Sequence, residues 1–271
     1  MSLPEGRYAQ VGEAVVHHHI VGDGDQTLLW LHGSGPGASG WSNFHENAEV
    51  LVGHGYRSIL PDNLGYGRST RADRDHGMEY IAQGTLGLMD ALGIERCTLV
   101  GNSHGGAQAL WLALEHPERV ERLVLMAPGG LETRETYMAM SGIRSMMRCI
   151  YGPEGITLDG MRRVFEKQLH DPTCVPEGVV ESRYELALTQ PTRVFRTLAV
   201  PELASRLPEV SQPTLGLWGA EDLFCPVSGA QTLAKGVPDC RVTVFSECGH
   251  WVMVEKRAAF DRLLLDFLTH G

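Results

Sequence analysis

The sequence predicts an α/β fold: a mostly parallel sheet flanked by helices, with a helical insertion. Three observations point there. Short apolar runs alternate with longer segments of helical periodicity; one run passes through G-x-S-x-G straight into a helical pattern; and residues 130–206 break the rhythm with helix-like patterns and no strand. In chain order, the first strand is expected over residues 14–21, AVVHHHIV. Consecutive imidazoles on a strand alternate sides and cannot all face one ion. His17, His18 and His19 therefore read as partly exposed strand residues rather than a metal tract. Further apolar runs predict strands at 27–31, 56–60, 97–100, 122–126, 214–218 and 241–245. Between them, 79–92, 104–115 and 256–269 carry apolar residues at helical spacing without internal proline. Seven strands with helical crossovers imply a doubly wound core over 1–129 and 207–271. The insertion at 130–206 reads as a cap, or lid, over the carboxyl edge of the sheet. Its Met138, Ile143, Met146, Met147 and Ile150 are candidates for an adaptable apolar pocket.

Composition narrows the class. The 271 residues hold 23 Lys and Arg against 33 Asp and Glu, a formal charge of −10, with 43% hydrophobic residues. That is enough apolar material for a large core, and too much for disorder. No basic run suits a nucleic acid, so an anionic substrate needs a local cationic pocket. No apolar stretch approaches the roughly 20 residues that span a bilayer, and MSLPEGRYAQ lacks a signal pattern. A cytoplasmic protein with no membrane association is expected. The six cysteines are scattered without a CxxC pair, as for reduced thiols.

Chemistry enters at LVGNSHGG, residues 99–106, where an apolar strand turns sharply into a helix. Glycines at 101 and 105 let the turn lift the Ser103 hydroxyl out of the sheet as a nucleophile elbow. A serine hydroxyl is a poor nucleophile alone; it needs a base within reach and an acid to orient that base. In folds with this elbow the partners follow in the order serine, acid, histidine. Asp222 in WGAED and His250 in SECGHW each lie just past a predicted strand, with Glu221 a rival for the acid. Parallel strands bring all three loops to one edge. The oxyanion hole is expected from the N–H of His104 and a second N–H in the loop 32–38, at Ser34 or its neighbour Gly35. G-x-G-x-x-G is absent and no Walker lysine follows that loop, which argues against a nucleotide.

The segments HGSGPGASGWSNF, PDNLGYGRS, GNSHGG, WGAEDLFCP and CGHWVMVE together resemble the meta-cleavage product hydrolases, serine-dependent C–C bond hydrolases of bacterial aromatic-ring degradation. The likeness spans nearly the whole chain and is weakest over residues 131–199. It implies an α/β-hydrolase core with a helical lid, no metal or organic cofactor, a homo-oligomer (dimer or higher), and a 2-hydroxy-6-oxohexa-2,4-dienoate substrate. It also carries the roles of nucleophile, acid and base to Ser103, Asp222 and His250. The resemblance makes Asn43 and Asn102 polar contacts to the dienoate and Trp251 an aromatic wall. Arg183, in VVESRYELAL, matches the cap arginine that binds the substrate carboxylate, a role suited to a planar guanidinium. His104 departs from the pattern, which has an apolar residue there. A carboxylesterase, a cofactor-free dioxygenase and a ligand-binding receptor are the alternative readings on this fold. The C6 substituent stays open among phenyl, alkyl, carboxyalkyl and steroid-derived groups.

Overall fold

The computed structural model describes residues 4–270. Its sheet has eight strands: β1 (Arg7–Val11), β2 (Ala14–Val21), β3 (Gln26–Leu31), β4 (Tyr56–Pro61), β5 (Cys97–Asn102), β6 (Val120–Met126), β7 (Thr214–Gly219) and β8 (Cys240–Phe245). In space they run β1-β2-β4-β3-β5-β6-β7-β8. β2 is antiparallel to both β1 and β4, and every pairing from β4 to β8 is parallel. β1 is the strand the sequence did not announce. RYAQV is largely exposed at the sheet edge, with only Ala9 and Val11 turned inward, so it lacks an apolar run.

The central strands read as continuous apolar runs because helices cover both faces. In β3, Leu28 and Trp30 pack with Phe44 and Ala48 of α1 (Gly40–Val50) and Phe260 and Leu264 of α10 (Arg257–His270). Leu29 and Leu31 face the other way. They meet Ala82 and Leu88 of α2 (Met78–Ala91) and Ala107 and Leu110 of α3 (His104–Glu115). α9 (Ser228–Gly236) joins this second layer through Ala230 and Leu233.

The histidine triplet differs from its expected exposure: His17, His18 and His19 are 2%, 1% and 7% exposed. β2 is an interior strand, and the chain before β1 closes over one of its faces. The His19 ring meets the Pro4 carbonyl at 3.2 Å, while Tyr8 and Trp41 pack at a tilt against His17 and His19 respectively. His17 Nδ1 lies 2.8 Å from the Asp62 carboxylate, which also accepts the N–H groups of Gly40 and Arg68. Burial alone would raise the Asp62 pKa; the His17 and Arg68 hydrogen bonds outweigh it and hold the carboxyl below its usual range.

Between β6 and β7 the chain forms α4 (Arg134–Ala139), α5 (Ser141–Tyr151), α6 (Leu158–Gln168), α7 (Val179–Leu188) and α8 (Thr192–Thr197). α5 and α6 are amphipathic. Ile143 and Met146, with Met161, Val164 and Phe165, look into a cleft, while Arg144, Arg148, Arg163 and Lys167 line the outer side. Gln190 ties this segment to the sheet: its side-chain oxygen accepts Gly37 N–H at 3.0 Å and its amide donates to the Gly65 carbonyl at 2.9 Å. Gly37 sits at φ +63°, and a Cβ there would run into the Arg183 backbone, so this close approach needs glycine. Among the described residues, no helix is long and apolar enough to cross a membrane.

Candidate active site

The direction of crossover changes between β3 and β5, since β3 connects outward to β4 while β5 connects to β6 on the other side. Such a switch point leaves a crevice at the carboxyl ends of the two strands. Ser103 sits on the β5 side of it and the loop Gly33–Ser34–Gly35 on the β3 side. Ser103 has φ 58° and ψ −117°, outside the regions an L-residue prefers, a conformation costing about 1–3 kcal/mol. The surroundings enforce it. Ser103 N–H donates to the Met126 carbonyl at 2.9 Å, and the Ser103 carbonyl accepts the N–H groups of Ala107 and Gly129, both at 3.0 Å. Gly105 packs so tightly against the Leu31 carbonyl that no Cβ fits between them.

Asp222 and His250 come from the loops after β7 and β8. His250 Nδ1 lies 2.7 Å from Asp222 Oδ2, with both side chains buried. Asp222 Oδ1 accepts the N–H groups of Phe224 at 2.7 Å and Cys225 at 2.9 Å, which leaves Oδ2 aimed at the imidazole. Phe224 stacks on the His250 ring at 5.1 Å between centroids. Glu221 is committed elsewhere: its carboxylate accepts Cys248 N–H at 3.0 Å.

The two expected oxyanion donors are oriented by their backbone neighbours. His104 is the first residue of α3, so its N–H belongs to the set a helix leaves without an internal acceptor. On the other side, His32 Nδ1–H donates to the Gly33 carbonyl at 2.7 Å while its Nε2 accepts Asn63 N–H at 3.0 Å, which fixes the tautomer. The buried Tyr66 hydroxyl donates to the Ser34 carbonyl at 3.2 Å. In a trans peptide the carbonyl and the following N–H point in opposite directions. His32 thus aims the Ser34 N–H, and Tyr66 the Gly35 N–H. Burial pushes the His32 pKa down to about 4, so the neutral tautomer persists through neutral pH.

One cleft gathers Ser103, His250, Asn43, Asn102, Ser34, Gly35, Arg183 and Trp251. Asn102 spends its amide donors on the carbonyls of Met126 and His250, at 3.2 and 3.4 Å, tying the elbow to the histidine loop. Arg183 is 3% exposed, yet its guanidinium meets a single backbone acceptor, the Pro36 carbonyl at 3.3 Å. It lies over the rings of Phe165 and Trp251, at 5.2 and 5.7 Å, and among the described residues no carboxylate pairs with it. Burial lowers its pKa to about 10, so it stays a cation at neutral pH.

The His104 side chain is buried away from the cleft, with neither ring nitrogen hydrogen-bonded and its pKa pushed down to about 3 by burial. Of the cap residues expected in the pocket, Ile143 and Met146 line the cleft. Met138, on α4, is 43% exposed; Met147 and Ile150 lie outside the cleft because α5 turns only one stripe of its surface inward. Phe165, Gln168, Met161, Val164 and Phe224 line it as well and were not singled out from sequence. Phe224 stands in the WGAEDLFCP segment, where its proximity to Asp222 was a usable signal. The α6 residues carried only generic amphipathic spacing.

The elbow, the Asp–His pair and the eight-stranded sheet define an α/β-hydrolase. The chain matches the alpha/beta hydrolase fold family over residues 26–257. It is 39% identical to the 2-hydroxy-6-oxo-6-phenylhexa-2,4-dienoate hydrolase of Comamonas testosteroni, covering 98% of each chain. It is 38% identical to a 2-hydroxy-6-oxononadienedioate/2-hydroxy-6-oxononatrienedioate hydrolase of the same species, covering 94% of this chain and 92% of that one. Among solved structures, the meta-cleavage product hydrolase of Pseudomonas fluorescens IP01 superposes with TM-score 0.85 at 28% identity over 97% of both chains. The 2-hydroxy-6-oxo-6-phenylhexa-2,4-dienoate hydrolase of Rhodococcus sp. strain RHA1 gives 0.86 at 26%, covering 97% of this chain and 98% of that one. The chain belongs to the meta-cleavage product hydrolases.

Proposed function

We propose that this enzyme hydrolyses the C5–C6 bond of a 2-hydroxy-6-oxohexa-2,4-dienoate bearing an uncharged, apolar C6 substituent, with residues 130–206 as its lid. The observation that carries this reading is the buried Arg183 cation, unpaired in a cleft it shares with Ser103 and His250. A buried charge without a partner is costly, and an anionic substrate supplies one. A simple ester would leave it unused.

The cleft has two chemically different ends. Arg183 packs against the oxyanion loop, its guanidinium beside Gly35. Gly142 N–H donates to the Leu223 carbonyl at 2.9 Å, which seats Ile143 and Met146 of α5 beside Phe224. The carboxylate then lies at Arg183 and the C6 substituent against Ile143, Met146 and Phe224. A second carboxylate, as in a nonadienedioate, would meet no cation at the apolar end.

Breaking a carbon–carbon bond needs a carbon leaving group that can hold negative charge. Proton transfer converts the dienol to its 2,6-dioxo tautomer, with His250 moving the proton and Arg183 stabilising the carboxylate end. Ser103 Oγ, losing its proton to His250, attacks C6. The resulting oxyanion faces the N–H groups of Ser34 and His104, with Gly35 adjacent. Collapse expels C5 as a delocalised dienolate, which is protonated to 2-hydroxypenta-2,4-dienoate. Water, deprotonated by His250, then frees the acid from the acyl-serine. Asp222 orients the imidazole and stabilises its charged form. Asn43, Asn102 and Trp251 wall the dienoate. Each step is carried by side chains or backbone of this chain. A homo-oligomer in the cytoplasm completes the reading, on the family resemblance.

The test is turnover of 2-hydroxy-6-oxo-6-phenylhexa-2,4-dienoate, followed by loss of its absorbance and by mass. Benzoate and 2-hydroxypentadienoate are expected, and Ser103→Ala should bind the dienoate without turning it over. Hydrolysis of aryl esters alone would move the function to a carboxylesterase.

A further inference from the structure

The loop that carries His250 has no strand partner for its backbone, yet three successive N–H groups are each taken. Cys248 donates to the Glu221 carboxylate at 3.0 Å, Gly249 to Glu255 Oε2 at 2.6 Å, and His250 to the Gln168 carbonyl at 2.7 Å. Gln168 is the last residue of α6, within the segment inserted between β6 and β7, and it lines the cleft. The same Glu255 side chain reaches that segment. Its Oε1 accepts His170 N–H at 2.7 Å and Asp171 N–H at 2.9 Å. One carboxylate therefore grips the exit of α6 with one oxygen and the histidine loop with the other. Gly249 completes the junction, since a Cβ there would lie 2.7 Å from the Gln168 carbonyl and 2.8 Å from His170 N.

We propose that Glu255 is a positioning residue that fixes His250 relative to the lid, so that the roof of the cleft and the catalytic base move as one body. The proposal rests on His250 being the base, as argued above. Glu255 makes no contact with the reacting atoms; it acts through backbone hydrogen bonds. Bonds from N–H groups to an ionised acceptor are roughly twice as strong as neutral ones, which suits a carboxylate holding together two segments that share no ladder. The arrangement has a functional consequence. α6 presents Phe165 and Gln168 to the cleft, so a substrate seated beneath them presses on the segment that holds His250 in place. Small displacements matter here, because a misplacement of about 1 Å at a reacting group can cost about 100-fold in rate.

The test compares Glu255→Gln and Gly249→Ala with the unaltered enzyme, using a dienoate and an aryl acetate. In Glu255→Gln the amide still accepts on one oxygen but turns an NH2 toward a donor on the other side. In Gly249→Ala the charge is untouched and the new methyl pushes against the Gln168 carbonyl. Both variants should lower kcat about 10- to 100-fold on both substrates, with KM changed less than kcat. Both should also broaden or remove the low-field proton resonance of His250 Nδ1–H, which reads the His250–Asp222 hydrogen bond without any substrate. A general loss of stability would not produce that signature in protein that remains folded at the assay temperature. Unchanged kcat and an unchanged resonance in a folded variant would overturn the proposal, as would a defect confined to KM. If Glu255→Gln fails to fold, Gly249→Ala decides by the same readouts. Absence of dienoate turnover in the unaltered enzyme would instead refute the C–C hydrolase reading, and the resonance and ester kinetics would still judge Glu255.

Discussion

The Arg183 guanidinium lies over the Trp251 ring, 5.7 Å from its centroid, and Trp251 directly follows His250 in the chain. In the proposed mechanism, the cation that recognises the substrate thus rests on the residue that follows the base. Trp251 is 1% exposed and Phe165 meets it edge-on, so the ring itself has little freedom.

Replacing Arg183 should separate dienoates from simple esters. Charge-assisted hydrogen bonds are worth about 1.5–3 kcal/mol, so Arg183→Ala should lower kcat/KM on a dienoate about 10- to 100-fold. Phenyl acetate, which has no carboxylate to place, should be affected much less. Arg183→Lys should recover little, because an ammonium lacks the planar fork. Equal losses on both substrates would show that Arg183 serves the cleft's structure rather than the carboxylate.

Asp222 and Glu221 are adjacent acids with different commitments, and their amide variants should differ accordingly. Asp222 shares 2.7 Å with His250, whereas Glu221 holds Cys248 N–H. Asp222→Asn should lower kcat by about 10⁴, the scale of losing tautomer control in a triad. Glu221→Gln should cost far less, since it loosens the loop without touching the imidazole. Comparable losses in the two variants, measured as kcat on one ester, would remove Asp222 from its role.

The catalytic loops were legible because their chemistry is written in short, ordered segments. The strand-to-helix G-x-S-x-G and two strand-end loops bring Ser103, His250 and an acid to one edge through topology, while the choice of Asp222 over its rival Glu221 rests on the contact with His250. The same holds for the interior strands, whose burial on both faces leaves continuous apolar runs. Legibility failed where the deciding contact is distant in sequence. The histidine triplet reads as partly exposed because nothing in AVVHHHIV shows that Pro4, Tyr8 and Trp41 close over it. β1 is polar because it sits at an edge. Among the cap methionines, the packing of α5 against Phe224 selects Met146 over Met147, and Met138 on α4 is exposed. Glu255 stands in a segment quoted for its histidine, yet its partners His170 and Asp171 lie about eighty residues away.

The acyl group should discriminate by charge. An ester R–CO–O–Ar and a dienoate with C6 substituent R pass through the same acyl-serine, so esters probe the apolar end directly. 4-Nitrophenyl benzoate should be turned over with kcat/KM at least about 10-fold above that of 4-nitrophenyl hemisuccinate, because an unpaired carboxylate against Ile143, Met146 and Phe224 is costly. Met146→Lys should shift the ratio toward the hemisuccinate. A preference for the hemisuccinate in the unaltered enzyme would reverse the assignment of the cleft's ends.

His104 offers a test on stability rather than rate. Both ring nitrogens are buried without a hydrogen-bond partner, and burial holds the pKa at about 3, against about 6.5 for an unfolded histidine. Between those values the unfolded chain binds a proton that the folded chain refuses. The stability this residue allows is therefore fully present above pH 6.5 and falls as pH drops toward 3, by about 1.4 kcal/mol per unit. His32, with its pKa near 4, adds a parallel loss over a shorter range. His104→Met replaces the ring with an apolar side chain of similar size. It should gain about 1–2 kcal/mol at pH 7 by removing two unsatisfied polar atoms. It should also reduce the loss of stability between pH 7 and pH 5 by about 2 kcal/mol. Urea unfolding of the two proteins at both pH values measures each quantity. A variant that loses as much stability on acidification as the unaltered enzyme would mean that His104 takes up a proton in the folded state as readily as in the unfolded one.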